Sequence, residues 1–371
     1  MSKRSRPVIA LTGSAGKTTT KEMIASILKQ RWRFIKSRSN WNTPIATRRN
    51  LKRIKGHHRA VVLEFGMLRK GDIKKHCSII TPTISVITNV GTAHIGNVGN
   101  SIKGIARAKS ELIAYMRPAG ILILNADDHN SRLLSTKGFK GTLIKVGIKN
   151  KAKYRANNVK PTRRGVSFRV KLNGEEIDFF IPCLGTHNVY NALNAIAVTH
   201  QLGFSPQEIK RGLKKYPIPY RRLVRTELPR RITVIDDTFS SNPNATKAAL
   251  DILAAIGRKH KVAVIGYMKD LGKYAVKGHR DVGKYAAGKK LTYLFAIGKQ
   301  SRNIARGAIE AGFPRERIRR FQSKPQLHRA LTAIVKPDTT ILIKGTHLLK
   351  LEQTVAFLKR SLSGKRKLSQ K

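Results

Sequence analysis

Short apolar runs alternate with helix-like segments over the first half of the chain, from Val8 to about Leu202. Each apolar run ends in a polar or glycine-rich turn, which is typical of a parallel α/β sheet that binds ligands at the carboxyl ends of its strands. Consecutive apolar positions indicate strands buried on both faces. The pattern predicts four such strands, at residues 8–11, 60–65, 84–89 and 120–125.

Residues 141–182 follow a different pattern. Two strand-like pieces, residues 165–170 and 177–181, flank Asn173-Gly174, a dipeptide that favours a two-residue hairpin turn. We therefore expect a small antiparallel insert on the first domain. A helix is expected to follow at residues 188–202.

The segment from Tyr216 to Tyr220 contains two prolines, so it cannot be helical throughout and is a plausible hinge. Beyond it, four strand candidates separated by helical stretches predict a second, Rossmann-like doubly wound sheet. These candidates are residues 232–235, 262–265, 293–297 and 340–343. We expect a first domain at residues 1–219, a second at 220–361 and a basic tail at 362–371.

Composition narrows the class of protein. Of 371 residues, 40% are apolar, which is enough to form globular cores. Cys77 and Cys183 are the two cysteines, and they provide neither a disulfide framework nor metal-ligand spacing. No apolar run approaches the roughly 20 residues that span a bilayer, and the apolar stretch behind the basic amino terminus is too short for a secretory signal. A cytoplasmic location is therefore expected.

The charge is unusual for an enzyme. Lysine and arginine total 75 against 20 aspartates and glutamates, a formal net charge of +55. Such a field attracts polyanions, whether nucleic acid, an anionic surface or an anionic polymer. The basic residues are scattered along the chain and only 6% of residues are aromatic, so specific nucleic-acid binding by base stacking is not expected.

A phosphate-binding turn is predicted between the first strand and the first helix. Backbone N–H groups in such a turn point at phosphates, a lysine adds positive charge and a hydroxyl can ligate Mg²⁺. Leu11 stands where the general pattern has its first glycine. The predicted ATP-binding residues are Gly13, Ser14, Ala15, Gly16, Lys17, Thr18 and Thr19.

Six motifs in the same order resemble those of the Mur ligase family, whose members form amide bonds with ATP. Within the family, the likeness is to ligases that add D-alanyl-D-alanine to a UDP-muramoyl tripeptide, and it runs from about Val8 to about Leu358. The motifs occupy residues 12–19, 63–66, 88–94, 106–111, 185–192 and 236–243.

The resemblance implies two Mg²⁺ sites. Glu64 ends an apolar strand in a chain with few carboxylates, and a buried acid needs a partner. Mg²⁺ shared with Thr18 would supply one, while a salt bridge to lysine or arginine is the alternative. His94 is implied as a contact to a second Mg²⁺, although a lone loop histidine is more often structural.

Lys109 corresponds to a lysine that is carbamylated in the family, which turns a cation into a carboxylate-like metal partner. That conversion needs a desolvated, neutral amine. We therefore expect Lys109, in a helix beginning near Ser101, to be buried with a lowered pKa. The alternative is an ordinary solvated helical lysine.

Four more residues are implied as nucleotide contacts. Asn188 corresponds to the residue that reads adenine, with helix capping as its structural alternative. Arg222 corresponds to an arginine that contacts phosphate on domain closure, although Arg221 replaces the usual glycine before it. Asp237 and Asn242 would contact the nucleotide from the second domain, or would simply form a turn before Pro243.

The implied reaction is phosphoryl transfer followed by acyl transfer. A substrate carboxylate attacks the γ-phosphate of ATP to give an acyl phosphate and ADP, and an amine then displaces phosphate. Lys17, Lys109 and His94 are the expected catalytic residues, since positive charge and metal ions offset the repulsion between carboxylate and triphosphate.

Several departures bear on the substrates. The phosphate turn begins near the amino terminus, so the UDP-sugar-binding domain of the cell-wall ligases is expected to be missing. Tyr267 stands in place of an acid, His347 in place of an arginine, and Phe239-Ser240-Ser241 in place of Tyr-Asn-Ala. We therefore expect an amide ligase for a carboxylate other than UDP-muramoyl peptide, for which the charge favours an anionic peptide or polymer.

Two other interpretations stay open. The chain could catalyse the D-alanyl-D-alanine addition itself, with the missing domain supplied by another protein. Alternatively, it could be a catalytically idle ATP-binding module that binds polyanions through its charge.

Overall fold

The structure is a computed structural model that describes residues 6–39 and 41–363. The chain divides into two compact units, Met1–Pro219 and Tyr220–Lys371. Each unit is built on one twisted sheet with helices between its strands. This agrees with the predicted α/β class.

The first unit contains a nine-stranded sheet within the described residues, in the order β2-β3-β1-β4-β5-β6-β7-β8-β9. Neighbouring strands from β2 to β7 are parallel, and the last pairs are antiparallel. The strands are β1 (Val8–Thr12), β2 (Phe34–Lys36), β3 (Ala60–Glu64), β4 (Ile84–Ile87), β5 (Ile121–Asn125), β6 (Thr142–Gly147), β7 (Tyr154–Pro161), β8 (Val166–Leu172) and β9 (Glu175–Ile181).

Six α-helices belong to the described part of this unit. The first of them packs closely on the last, where Ser26 Oγ donates to the Gly212 carbonyl oxygen at 2.7 Å. The helices are α1 (Lys17–Leu28), α2 (Pro44–Leu51), α3 (Asp72–Ile79), α4 (Ile102–Ala114), α5 (His187–Gln201) and α6 (Pro206–Lys214). Strand β1 lies between β3 and β4, so the carboxyl ends of three strands meet where α1 begins.

The expected antiparallel insert is confirmed for β7, β8 and β9, which pair in antiparallel fashion, whereas residues 142–147 at its predicted start form a parallel strand. Strand β6 pairs in parallel with β5, and β7 pairs in parallel with β6 through Val146 and Tyr154, so these strands continue the main sheet. The hairpin prediction is confirmed, because Leu172 pairs with Glu175 across Asn173-Gly174. Alternate apolar residues of β8 (Val166, Phe168 and Val170) are buried in the same core as the parallel strands, which explains why the sheet extends rather than splits.

The second unit contains a six-stranded sheet in the described part of the chain, ordered β10-β11-β15-β12-β13-β14. All pairs are parallel except β10 with β11. The strands are β10 (Val224–Leu228), β11 (Ile232–Asp237), β12 (His260–Gly266), β13 (Tyr293–Ile297), β14 (Ile318–Phe321) and β15 (Thr339–Lys344). The helices are α7 (Pro243–Ile256), α8 (Ala275–Ala287), α9 (Ser301–Glu310), α10 (Lys324–Ile334) and α11 (Glu352–Leu362).

The four strands predicted for this unit are present as β11, β12, β13 and β15. The pattern missed the two edge strands, β10 and β14. None of the helices in the described residues combines the length and the apolar character that crossing a bilayer requires. Of the basic tail predicted at residues 362–371, Leu362 ends the last helix and Ser363 follows it, and the residues from 364 onward lie outside the described residues.

Candidate active site

The turn between β1 and α1 has a backbone shape that requires glycine. Gly13 has φ 145° and Gly16 has φ 84°, both in the region that side chains disfavour. A Cβ at Gly13 would lie 1.8 Å from Thr88 Oγ1, and one at Gly16 would lie 2.3 Å from Asn191 Oδ1. Both positions are closed to any larger residue.

The loop after β4 holds this turn in place. Asn89 accepts a hydrogen bond from the Ala15 N–H through Oδ1 and donates to the Ala15 carbonyl oxygen through Nδ2, both at 3.0 Å. Thr88 Oγ1 also donates to that oxygen at 2.6 Å, and Ser14 Oγ donates to the Gly91 carbonyl oxygen at 3.0 Å. Thr88 and Asn89 were assigned no individual role from the sequence. Their position at the end of a neighbouring strand could have indicated that they contact the phosphate turn.

The expectation for Lys109 is confirmed. Its side chain is 2% exposed, on α4, which begins after the capping residue Ser101. Burial lowers the pKa of Lys109 well below its usual value; the charge of Lys17 lowers it further and Asp128 opposes the shift. Desolvation disfavours the charged form of an amine, and carbamylation needs the neutral form.

Lys17 begins α1 and turns back over the phosphate turn. Its Nζ donates to the Gly13 carbonyl oxygen at 2.6 Å. Because Lys17 contributes to the lowered pKa of Lys109, the two amines belong to one site. The positive charge of Lys17 thus favours the neutral form of the Lys109 amine.

Glu64 ends β3 and is 2% exposed. Thr18 Oγ1 donates to Glu64 Oε2 at 2.9 Å, and Asn42 Nδ2 donates to Oε1 at 3.0 Å. Within the described chain, neutral groups rather than lysine or arginine therefore hold this carboxylate. The alternative of a salt bridge is not what the structure contains.

This pair of oxygens fits Mg²⁺. An octahedral ion with metal–oxygen distances of about 2.1 Å separates adjacent ligands by about 3 Å, and Thr18 Oγ1 and Glu64 Oε2 lie 2.9 Å apart. A hydroxyl and a carboxylate are also the hard oxygen donors that Mg²⁺ prefers. The donor set therefore matches the first predicted metal site.

His94 is half-buried and has φ 62° at the start of a short 3-10 turn after β4. This left-handed conformation is uncommon outside glycine and often marks a functional loop. Its role at a second Mg²⁺ stays a prediction.

Asn188 does not cap its helix. Thr186 occupies the cap position of α5 and Asn188 lies in the first turn, 5% exposed. Asn188 donates to the Leu184 carbonyl oxygen and accepts from Asn191, each at 2.7 Å. Thr20 on α1 donates to Asn191 at 3.2 Å, so this row of amides links α5 to the helix of the phosphate turn. The capping alternative is wrong, and the adenine contact stays a prediction.

In the second unit, Arg221 and Arg222 have different surroundings. Arg221 adopts φ 59°, which a glycine would reach without strain. Its guanidinium donates to the Thr238 hydroxyl and carbonyl oxygens and pairs with Glu352 at 2.7 Å. Arg222 is half-buried and lies over the Phe239 ring, 4.5 Å from its centroid. Arg221 therefore anchors the segment, and the phosphate role of Arg222 stays a prediction.

Asp237 ends β11 and Asn242 begins α7. The buried Lys344 Nζ pairs with Asp237 Oδ2 at 2.6 Å and donates to the Ser240 carbonyl oxygen at 2.9 Å. Asn242 Oδ1 accepts from the Ala245 N–H at 2.9 Å and caps the helix. Both residues thus have structural partners, and their nucleotide contacts stay predictions.

The residues at which the sequence departs from the family pattern lie together in this unit. The His347 N–H donates to the Phe239 carbonyl oxygen at 3.2 Å, and the two rings are 6.3 Å apart. Tyr267 and Leu349 both approach Gly298, each 3.3 Å from the position of its missing Cβ. The altered residues therefore share the carboxyl ends of β11, β12 and β15.

Comparison with known proteins identifies the family. The profile of the Mur ligase middle domain matches residues 11–199, and that of the Mur ligase glutamate ligase domain matches residues 221–347. The chain belongs to the Mur ligase family. It is an ATP-dependent ligase that forms carbon–nitrogen bonds.

Relatives and solved structures support this assignment. The chain is 33% identical over 352 residues to the UDP-N-acetylmuramoyl-tripeptide–D-alanyl-D-alanine ligase of Bacillus subtilis, covering 94% of this chain and 75% of the relative. The enzyme of that name from Synechocystis is 34% identical, with coverage of 95% and 74%. MurF from Acinetobacter baumannii is 29% identical with a TM-score of 0.87, covering 95% of this chain and 76% of that structure. This Mur ligase thus spans about three quarters of the length of these relatives.

Proposed function

We propose that this Mur ligase transfers the γ-phosphoryl group of ATP to a substrate carboxylate and joins the resulting acyl phosphate to an amine. The products are an amide, ADP and phosphate. The observation that carries this proposal is the arrangement in the first unit, where a braced phosphate turn adjoins the buried carboxylate of Glu64 and the desolvated amine of Lys109.

The phosphate turn would hold the triphosphate through its backbone N–H groups and the amino end of α1. Lys17 would leave the Gly13 carbonyl oxygen and bind the β- and γ-phosphates, which places its charge where negative charge gathers. The brace from Thr88 and Asn89 fixes the turn before ATP arrives, so little ordering is needed on binding.

Thr18 and Glu64 would hold one Mg²⁺, and His94 with carbamylated Lys109 would hold a second. When bound, these ions would neutralise phosphate oxygens and orient the attacking carboxylate. Lys109 would contribute by staying neutral in its buried pocket, so that its nitrogen can accept CO₂. In the second unit, Asn242, Arg222 and Asp237 are proposed nucleotide contacts.

For the substrates, we favour a carboxylate and an amine other than UDP-muramoyl tripeptide and D-alanyl-D-alanine. The support is the cluster of Tyr267, His347 and Phe239 at one end of the second sheet, where the family pattern has polar or charged residues. An imidazole replaces a guanidinium at His347, so the site has lost the planar fork that binds both oxygens of a carboxylate. The net charge of +55 favours an anionic peptide or polymer.

A second candidate is the reaction named for the relatives, the addition of D-alanyl-D-alanine to a UDP-muramoyl tripeptide. Their identity of 33–34% over nearly the whole chain favours it. An idle ATP-binding module is the third candidate.

Release of ADP and phosphate, measured against a panel of carboxylate and amine substrates, separates these candidates. Turnover with an anionic peptide and an amino acid, but not with UDP-muramoyl tripeptide and D-alanyl-D-alanine, is the expected result. Turnover with the latter pair would establish the second candidate. No turnover with any pair would favour the idle module, and AMP with pyrophosphate as products would overturn the acyl-phosphate route.

A Lys17→Ala variant should abolish product release, since the lysine binds the transferred phosphoryl group. Lys29→Ala is the matched control, because it removes the same charge from the exposed end of the same helix and should retain full turnover. Equal activity of the two variants would exclude the proposed role of the phosphate turn.

A further inference from the structure

An open groove of about 530 Å³ lies in the second unit, beside β14, which forms one edge of the sheet. Its lining is Arg302, Ala305, Arg306, Ile309, Glu310, Arg315, Ile318 and Arg320. Four arginines and one carboxylate therefore surround a space of the size that small-molecule ligands occupy.

Helix and strand periodicity place these arginines on one surface. Arg302 and Arg306 are four residues apart on α9, so they share a helix face with Ile309. Arg320 is two residues from Ile318 on β14, so both point to the same side of the strand. The alternate residue Arg319 lies on the other side and does not line the groove.

The single carboxylate is already neutralised. Glu310 pairs with Arg280, whose guanidinium binds both of its oxygens, and with Arg306 at 3.0 Å. Lys284 is a further partner at 3.8 Å. Glu310 thereby fixes Arg306 in place while it offsets little of the positive charge in the groove.

The other three arginines have no acidic partner among the residues that the structure describes. Arg302, Arg315 and Arg320 are all exposed. Like charges that line one groove repel one another, and a bound anion relieves this repulsion. Guanidinium forks bind phosphate oxygens in pairs, which makes arginine the usual residue for phosphate recognition.

We propose that this groove is a second anion site, distinct from the phosphate turn, which binds a small compound with two or more phosphate groups. A phosphate chain supplies several negative charges within the span of the groove, which an isolated carboxylate does not. The apolar side chains of Ile309 and Ile318 offer no hydrogen bonds, so recognition rests on the arginines. Inorganic polyphosphate and nucleotides both contain linked phosphate groups, so either class of compound fits the groove.

Isothermal titration with inorganic tripolyphosphate tests the proposal. The double variant Arg302→Gln/Arg320→Gln should weaken binding about tenfold or more, because two charge-assisted contacts are lost. The matched control, Arg317→Gln/Arg319→Gln, removes the same charge from exposed neighbours outside the groove and should change affinity less than about twofold. Equal losses in the two variants would show diffuse attraction to a basic surface and overturn the proposal.

The phosphate turn is itself an expected triphosphate site, so the titrations are repeated in a Lys17→Ala background. Tripolyphosphate binding should persist there and stay sensitive to the groove variant, and complete loss would overturn the proposal. Titration with ATP in that background distinguishes a nucleotide from inorganic polyphosphate as the better ligand. A groove variant that weakens binding of a single-stranded oligonucleotide but not of tripolyphosphate would replace the proposed site with a nucleic-acid surface. Circular dichroism of each variant verifies folding.

Discussion

A single backbone angle at Gly16 shapes the turn that is expected to hold the triphosphate. The residue has φ 84° and no space for a Cβ beside Asn191. Gly16→Ala should therefore reduce ATP affinity at least tenfold, because the turn must shift away from the arrangement that points its N–H groups at phosphate. Equilibrium binding of a fluorescent ATP analogue measures the effect.

Gly71 provides the matched control for this prediction. It has φ 90°, directly precedes α3, and has nothing within 4 Å of the position of its missing Cβ. Gly71→Ala thus carries similar backbone strain without the steric clash, and it should cost about 1 kcal/mol of stability while leaving ATP affinity unchanged. If both variants lost affinity equally, general destabilisation would explain the result.

His76 is expected to make the first unit sensitive to acid. It is fully buried, stacks on Phe65 at 4.4 Å between ring centroids, and lies 2.7 Å from Thr47 Oγ1 through Nδ1. Burial lowers the pKa of His76 from 6.5 to about 4. The unfolded chain therefore binds a proton more readily between these values, so stability falls as pH decreases from 6.5 to 4, by about 3 kcal/mol from this group.

Urea unfolding across that pH range measures this loss. In His76→Asn the dependence should be shallower, whereas the exposed His57→Asn should behave like the unaltered protein. An unchanged slope in His76→Asn would assign the acid sensitivity to other groups.

The special environment of Glu64 was predictable from the sequence, because a carboxylate that ends an apolar strand needs a partner. The burial of Lys109 was expected only from the resemblance to the Mur ligase family, since a lysine in a helix is ordinarily solvated. The brace from Thr88 and Asn89 was not predictable, since it depends on β4 lying beside β1 in space. The start of α5 at Thr186 was not predictable either, because Asn188 is the better capping residue by type and Thr186 makes no side-chain capping bond.

At the scale of elements, α7 offers a test that separates structure from nucleotide contact. Asn242 caps this helix, and aspartate is an equally good cap. Asn242→Asp should therefore retain stability, while Asn242→Ala should lose about 1 kcal/mol. If Asn242 also contacts the nucleotide, Asn242→Asp should raise the KM for ATP, because a carboxylate repels phosphate.

Thermal unfolding and the KM for ATP, measured on both variants, distinguish helix capping from nucleotide contact at Asn242. A KM unchanged in Asn242→Asp would restrict this residue to capping and remove it from the proposed nucleotide site.

Elements with continuous apolar runs or a distinctive turn were predictable, and those without them were not. The buried strands and the Asn173-Gly174 hairpin were foreseen because their signals are local. Strand β14 reads Ile-Arg-Arg-Phe, which resembles a basic loop, and β2 has only three residues. Both are edge strands that are specified by their neighbours rather than by their own pattern.

For the whole molecule, the net charge of +55 should make stability depend on salt. Like charges repel most in the folded state, where they are closest, and salt screens this repulsion. Raising NaCl from about 0.1 M to about 1 M shortens the screening length from about 10 to 3 Å and should raise the melting temperature by several degrees.

Neutralising charge should reduce that response. Lys52→Gln/Lys55→Gln, at exposed positions in a densely basic stretch, should give a smaller salt effect than the unaltered chain. A melting temperature that falls with added salt would indicate that ion pairs outweigh repulsion.

The layout of the sheets was only partly predictable. Alternation of apolar runs and helical segments indicated two α/β sheets, but the continuity of β6 to β9 with the parallel strands was not visible. Parallel pairing of β6 with β5 is a contact between segments distant in sequence. Composition and turn signals depend on residues within about ten positions of one another. They could not show whether residues 141–182 form an insert or extend the main sheet.

Strand β14 has one neighbour in its sheet, β13, and its outer backbone faces away from the other strands. Two copies of this edge, if they approached in antiparallel fashion, would bring Arg319 and Arg320 of one copy close to the same residues of the other. The repulsion between these side chains disfavours pairing of the two edges, as charged residues do on other edge strands. One of them, Arg320, also lines the proposed anion groove, so the same side chain would both attract a phosphate compound and discourage contact between sheets.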